Sequence, residues 1–216
     1  MKRKRKSKPK RKPSLPLSRR FEKALILATR KHAGQIRKGS GTPYISHLLS
    51  VAALVLEAGG GEDLAIAALL HDVVEDCGGA PMLKEVRRRF GKRVARVVDG
   101  CTDPGITPQP PWRRRKQQYI RHLRTADADT RLVAAADKLH NARSILVDYR
   151  RLGEPIWQRF RGKQEGTLWY YRALLEELQR KHSNRLVDEL ERVVTELEAV
   201  VAAQDRAHRR PTGRRK

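Results

Sequence analysis

Three observations predict that this 216-residue chain is an all-α helical bundle with disordered basic tails. Apolar residues recur at helical spacing in one segment after another, and no regular run of short alternating strands is present. Alanine and leucine are abundant while aromatic residues are only 5% of the chain, a composition that favours packed helices over a sheet. Charge is concentrated at the two ends. The formal net charge is +24, but residues 1–20 carry eleven Lys/Arg and no acid, and residues 206–216 carry six more and no acid, which leaves about +7 for the middle. The expected organisation is a basic tail over 1–19, one folded domain over 20–204 and a second basic tail over 205–216. A domain of this size buries a substantial core.

In chain order, Ser18 reads as the N-cap of a first helix carrying Phe21, Leu25, Ala28 and His32 on one row and ending near Gly34. Residues 35–44 form a Gly/Pro loop bearing Arg37 and Lys38. Such a loop grips phosphate or is simply a basic surface loop. Ser46 reads as the cap of a second helix, apolar nearly all round, from His47 through Leu56. Gly59-Gly60-Gly61 breaks the chain, and Glu62 and Asp63 open a helix that runs to Asp76 and stops at Cys77-Gly78-Gly79. Two short helices over 81–90 and 92–100 flank Gly91. A proline-rich loop leads to Pro111, and the next helix opens with Trp112 and four basic residues, 113–116. A helix over 130–146, a loop over 150–162 and two long packing helices over 163–181 and 184–202 complete the chain.

The most informative stretch is Leu69-Leu-His-Asp-Val-Val-Glu-Asp76. His71 and Asp72 end an apolar run, and burying an imidazole and a carboxylate is costly unless they are paired or bind a metal. Glu75 and Asp76 follow one turn later on the same two helical rows. The plain alternative is an amphipathic helix whose polar end is solvated. A second such place is the run 132–136, which leads into Asp137-Lys-Leu-His-Asn141, with Ser144 a turn further on. Asp137 either bonds a core donor or completes a metal site with the histidines. His47, at the start of its apolar helix, also reads as a satisfied core or capping residue. Two imidazoles and two carboxylates suit a borderline divalent ion such as Mn²⁺, Fe²⁺ or Zn²⁺. No run of 18 apolar residues exists, so no membrane contact is expected. Two cysteines without a disulfide or CxxC pattern point to a reducing cytoplasm.

The ordered set His47, His71-Asp72, Asp137 resembles the HD-domain metal-dependent phosphohydrolases. His32-Ala-Gly-Gln35, Arg37-Lys38, Pro43-Tyr-Ile-Ser-His47, Ala68-Leu-Leu-His-Asp-Val-Val-Glu-Asp76, Val98-Asp-Gly-Cys-Thr102 and Ala136-Asp-Lys-Leu-His-Asn-Ala-Arg143 are similar to the hydrolase domain of RelA/SpoT proteins. They are closer still to the short single-domain hydrolases of that group. The resemblance spans roughly residues 20–180. It implies an HD-domain helical bundle, one Mn²⁺, and removal of the 3′-pyrophosphate of (p)ppGpp to give GDP or GTP and pyrophosphate. It implies His47, His71, Asp72 and Asp137 as metal ligands and Glu75 and Asp76 as the acidic pair acting on the attacking water. Arg37, Lys38, Tyr44 and Asn141 match substrate-side positions, and Ser144 stands where long members have Thr. Lys116, in the basic cluster, is a further candidate for the substrate's phosphates. Leu48 replaces the usual Pro, and Gly166 lies near a position where some short members carry Tyr. With no room for a synthetase domain, hydrolysis alone is expected.

Two other readings stand beside this one. The same metal site serves other phosphorylated nucleotides, such as a nucleoside monophosphate or NADPH, because fold does not fix function. The basic tails also fit weak, non-specific RNA or DNA contact, and at the extreme a nucleic-acid binder with the bundle as scaffold.

Overall fold

The computed structural model describes residues 17–102, 110–180 and 184–209, the side chains of 207–209 excepted. Ten α-helices and one 3₁₀ turn are present among them: α1 (Arg19–Lys31), α2 (Ile45–Glu57), α3 (Glu62–Leu70), α4 (Val73–Cys77), α5 (Gly79–Phe90), α6 (Lys92–Cys101), α7 (Trp112–Thr125), α8 (Ala128–Leu152), the 3₁₀ turn Glu154–Arg159, α9 (Lys163–Gln179) and α10 (Arg185–Arg209). No strand occurs among the described residues. One antiparallel bridge, Ile36 to Pro43, closes the loop between α1 and α2 into a small hairpin.

The bundle is assembled on α8, which packs against α2, α3, α6, α9 and α10. Its middle turns are apolar enough to be enclosed: Val133, Ala135, Ala136, Leu139 and Ala142 are wholly buried. Beyond the acids of its first turn, Glu62 and Asp63, α3 has no polar face. Ala65, Ile66, Ala67, Ala68, Leu69 and Leu70 are all at zero exposure, as expected of a helix surrounded by others. Ser18 caps α1, accepting from the Arg20 backbone N–H at 3.1 Å, while its own N–H donates to Glu62 Oε1 at 2.6 Å and ties the starts of α1 and α3 together. Gly91, at φ +94°, makes the turn between α5 and α6 that an L side chain rarely adopts. Buried Arg131 of α8 closes two helix ends at once. It donates to the carbonyls of Leu123 (2.7 Å) in α7 and of Glu177 (2.8 Å) and Leu178 (2.7 Å) in α9, groups left unpaired in a last turn.

Several boundaries differ from the sequence reading. Helix α2 begins at Ile45 rather than His47, and Ser46 is not its cap. Tyr44 holds that place without a side-chain bond, and its N–H donates to Gln35 O at 2.9 Å, so the hairpin itself launches the helix. The helix expected to run unbroken from Glu62 to Asp76 is divided at His71 and Asp72. His71 Nδ1 takes the Ala68 carbonyl at 2.8 Å, the acceptor that the Asp72 N–H would otherwise use, and α4 restarts with Asp76 N–H on Asp72 O at 2.9 Å. Helix α8 extends to Leu152, and the expected loop contains the 3₁₀ turn. Helix α10 runs to Arg209, so residues 205–209, expected to belong to the tail, are helical. Its last turns are held, Asp205 accepting from Gln164 Nε2 at 3.2 Å. The tail segments 1–16 and 210–216, and the proline-rich segment 103–109, lie outside the described residues.

Candidate metal centre and substrate cleft

The break between α3 and α4 places His71 and Asp72 at a joint where α2 and α8 also converge. His47 comes from the first turn of α2 and Asp137 from the middle of α8. The four side chains meet. His47 Nε2 lies 3.2 Å from Asp137 Oδ1 and 3.6 Å from Asp72 Oδ2. His71 Nε2 lies 3.0 Å from Asp72 Oδ2 and 3.7 Å from Asp137 Oδ1. One atom each from His47, His71 and Asp137 falls within a 4.8 Å group able to hold a metal ion, and all three residues are buried.

Neighbouring groups aim these atoms. The Nδ1–H of His71 donates to Ala68 O, which turns Nε2 inward; that Nε2 is buried and makes no hydrogen bond. His47 Nδ1 lies 2.8 Å from His140 Nδ1. Burial, with His47 and Arg37 nearby, pulls the His140 imidazole down to about 4, so it is neutral, and it shares one hydrogen bond with the His47 ring whose direction follows from their tautomers. The Tyr44 hydroxyl donates to Asp72 Oδ2 at 2.6 Å, and burial and Asp72 push its pKa up, keeping it a donor. Asp137 accepts from Lys138 Nζ at Oδ2 (2.6 Å) and from Asn141 Nδ2 at Oδ1 (2.5 Å). Burial would raise the Asp137 carboxyl, but Lys138 and the two histidines hold it well below the usual carboxylate range. Burial opposes the Lys138 charge, and Asp137 beside it raises its pKa well above the ordinary lysine value. The result is a compact set of oriented nitrogen and oxygen atoms.

Above this floor opens a cleft of about 590 Å³. Of the twelve side chains singled out in the sequence, ten line it: Arg37, Lys38, Tyr44, Asp72, Glu75, Asp76, Lys116, Asp137, Asn141 and Ser144. The other two, His47 and His71, lie buried beneath Asp72 and Asp137. Glu75 and Asp76 are exposed on α4, and Asp76 Oδ2 accepts from Gln35 Nε2 at 2.9 Å. Gln35 Oε1 is itself held 2.6 Å from His32 Nδ1. Asn141 bridges the two halves of the site, donating to Asp137 and accepting from Arg37 Nη2 at 3.0 Å; Arg37 also reaches Ser144 Oγ at 3.4 Å. Of the basic cluster opening α7, Arg115 and Lys116 face the cleft, while the Arg113 guanidinium stacks on Trp169 at 4.2 Å.

Sequence reasoning missed His140, Lys138, Arg159, Phe160 and Arg161. His140 and Lys138 flank Leu139 on the same helix as Asp137, so helical spacing offered a signal for them. The other three come from a segment that reads only as loop, and nothing local marks them. Arg159 is placed by tertiary contact: it pairs with Asp148 at 3.3 Å and packs so closely over Gly39 that a Cβ there would lie 2.1 Å from its guanidinium. The cleft therefore has an acidic, histidine-rich floor beneath basic walls, an arrangement able to hold a cation and a polyphosphate together.

Comparison with known proteins agrees with this geometry. Residues 24–167, more than half of the chain, match the HD domain family. A Mus musculus guanosine-3′,5′-bis(diphosphate) 3′-pyrophosphohydrolase, MESH1, is 38% identical over 125 residues, covering 56% of this chain and 67% of that protein. An Aquifex aeolicus (strain VF5) guanosine-3′,5′-bis(diphosphate) 3′-pyrophosphohydrolase is 37% identical over 130 residues, 59% of this chain but 18% of that longer protein. Among solved structures, a metazoan ortholog of SpoT that hydrolyzes ppGpp and plays a role in starvation responses superposes with a TM-score of 0.71 at 26% identity, over 87% of this chain and 99% of that one.

Proposed function

Since the chain belongs to the HD-domain family, we propose that it is a metal-dependent phosphohydrolase removing the 3′-pyrophosphate of guanosine tetra- or pentaphosphate. The products are GDP or GTP and pyrophosphate. The observation that carries this reading is the convergence of His47, His71, Asp72 and Asp137 beneath a cleft walled by Arg37, Lys38, Arg115, Lys116, Arg159 and Arg161. The names of its relatives support the substrate.

The donor set fits one borderline divalent cation. His71 Nε2, buried and turned inward without a hydrogen bond, is the atom that most needs one. We assign Mn²⁺ to it, with His47, His71, Asp72 and Asp137 as ligands. Bound there, the cation supplies a Lewis acid and a water of lowered pKa. The protein's own residues do the rest. Lys138 holds Asp137 Oδ2, so Oδ1 is the oxygen turned to the histidines. Gln35 holds Asp76 Oδ2, leaving Oδ1 to accept the proton of the attacking water, with Glu75 beside it as the second acid/base group. Water oxygen bonds to the phosphorus attached to the 3′ oxygen, the P–O3′ bond breaks, and the 3′ oxygen gains a proton. Arg37, Lys38, Lys116 and Arg115 offset the phosphate charge, with Asn141 and Ser144 fixing Arg37.

Cys77 and Cys101 are both free thiols, which supports a cytoplasmic setting, and no described helix is long and apolar enough to cross a membrane. The basic ends of the sequence support weak RNA or DNA contact apart from the site.

The test is to incubate the full-length protein and Mn²⁺ with guanosine tetraphosphate, guanosine pentaphosphate, nucleoside monophosphates and NADPH, and to separate the products by chromatography. Pyrophosphate with GDP or GTP is the expected outcome. Faster release of inorganic phosphate from NADPH or a monophosphate would assign the site to that substrate instead.

A further inference from the structure

We propose that His32, buried at the end of α1, is a positioning residue for the hydrolysis: its ring N–H clamps the Gln35 amide that holds Asp76. A continuous run of contacts, from Asp72 through Tyr44, His32 and Gln35 to Asp76, then sets the acid/base carboxylate against Asp72. This rests on the nucleotide-hydrolase reading above and adds what fixes the distance between those two groups.

Asp76 needs support from outside its own helix. It is exposed on α4, a helix of five residues that restarts at the joint after His71. So short a helix holds its side chains poorly by itself. The support comes from the hairpin. Gln35 Nε2 donates to Asp76 Oδ2 at 2.9 Å, and because a carboxylate only accepts, this bond decides which end of the amide faces it. Oε1 then faces His32 Nδ1 at 2.6 Å. An amide oxygen only accepts, so the ring nitrogen is the donor. The ring is itself seated. It stacks on Tyr44 with centroids 5.1 Å and planes 23° apart, and the Tyr44 hydroxyl donates to Asp72 Oδ2 at 2.6 Å. Backbone bonds close the same turn, Gln35 N–H on His32 O at 3.0 Å and Tyr44 N–H on Gln35 O at 2.9 Å.

Core filling does not account for His32. The residue is 3% exposed, yet its Nε2 is buried and makes no hydrogen bond. A buried polar atom without a partner costs stability, and an apolar ring would fill the same space without that cost. What the imidazole adds is the Nδ1–H, and Gln35 is where it goes. Cys77 Sγ, at 4.0 Å, is the weaker contact of that nitrogen. His32 does not line the cleft, so its route to the chemistry is through Gln35 and Asp76 and not through the substrate.

Full-length protein, its metal content verified, is compared with H32F, H32N, Q35M and the double variant H32F/Q35M. Pyrophosphate release from guanosine tetraphosphate and the melting temperature are measured for each. Phenylalanine keeps a ring on Tyr44 but cannot donate. H32F should lower kcat about 10- to 100-fold, the scale of a small misplacement of a reacting group, with KM within about threefold. It should melt no lower than the wild type, because the unpaired Nε2 goes with the imidazole. Asparagine puts an amide N–H near the place of Nδ1, so H32N should recover kcat to within about fivefold of wild type. Q35M should be as slow as H32F, and the double variant no slower than Q35M, since residues acting through one bond do not add. Three results overturn the positioning role while leaving the hydrolase reading standing: H32F within about threefold of wild type in kcat, H32N as slow as H32F, or losses that multiply in the double variant. Should H32F fail to fold, H32N against Q35M decides: a fast H32N beside a slow Q35M supports the role, and equal rates overturn it. A wild-type protein that hydrolyses no guanosine polyphosphate overturns both.

Discussion

Replacing Asp76 by asparagine isolates one chemical property of the site. Asparagine keeps the shape of the side chain and its oxygen still accepts from Gln35 Nε2, which now donates to Asp76 Oδ2 at 2.9 Å. The position is exposed on α4, so the fold should lose no more than about 0.5 kcal/mol. The clustered donor atoms of His47, His71 and Asp137 are untouched, so metal content should stay at the wild-type level. What disappears is the basicity of Oδ1. A lost general acid/base costs about 10²–10⁴-fold in rate, or about 2.7–5.4 kcal/mol of transition-state stabilisation. The assay is the steady-state kcat for pyrophosphate release, alongside elemental analysis and a melting curve. The same loss is expected of Glu75→Gln if the two acids act as a pair. An Asp76→Asn enzyme within about threefold of wild type would refute the proton-transfer role, since that role requires at least about a hundredfold. Loss of metal would instead make Asp76 a ligand.

Three further outcomes are expected. His140→Phe removes the hydrogen-bond partner that fixes His47 and should weaken metal affinity by about 10–100-fold, measured by competition with a chelator. Arg131→Met leaves three carbonyls of α7 and α9 unpaired and should cost about 3–5 kcal/mol in urea unfolding, with the kcat of the folded fraction unchanged. Deleting residues 1–16 and 210–216, which spares α10, should remove most of a steeply salt-dependent RNA binding and leave pyrophosphate release intact; salt-insensitive binding would argue against it.

The helices were legible where local chemistry decides them. Ser18 caps α1 because a hydroxyl there has no better use than the Arg20 N–H, and Gly91 divides α5 from α6 because few other residues take its φ. The four clustered side chains were legible because an imidazole or carboxylate in a buried run has few tolerable partners. The joint at His71 was not, since it depends on a ring nitrogen capturing the Ala68 carbonyl, a bond invisible to periodicity. Nor were Arg159, Phe160 and Arg161, which reach the cleft only because the chain after α8 folds back over the hairpin at Gly39. Trp112 read as one end of a basic helix, and its indole lies against Gly162, fifty residues further along the chain.

The most direct test of the account is a metal titration coupled to turnover. Chelated full-length protein is supplied with Mn²⁺ in increasing equivalents, and pyrophosphate release from guanosine tetraphosphate is followed at each step, with His71→Ala carried in parallel. Activity should be absent in the chelated protein, rise to a plateau near one equivalent, and stay absent in His71→Ala, which should retain no metal after desalting. Full activity in the chelated protein, or in a His71→Ala variant without bound metal, would contradict the claim that these four side chains and one cation form the catalytic centre.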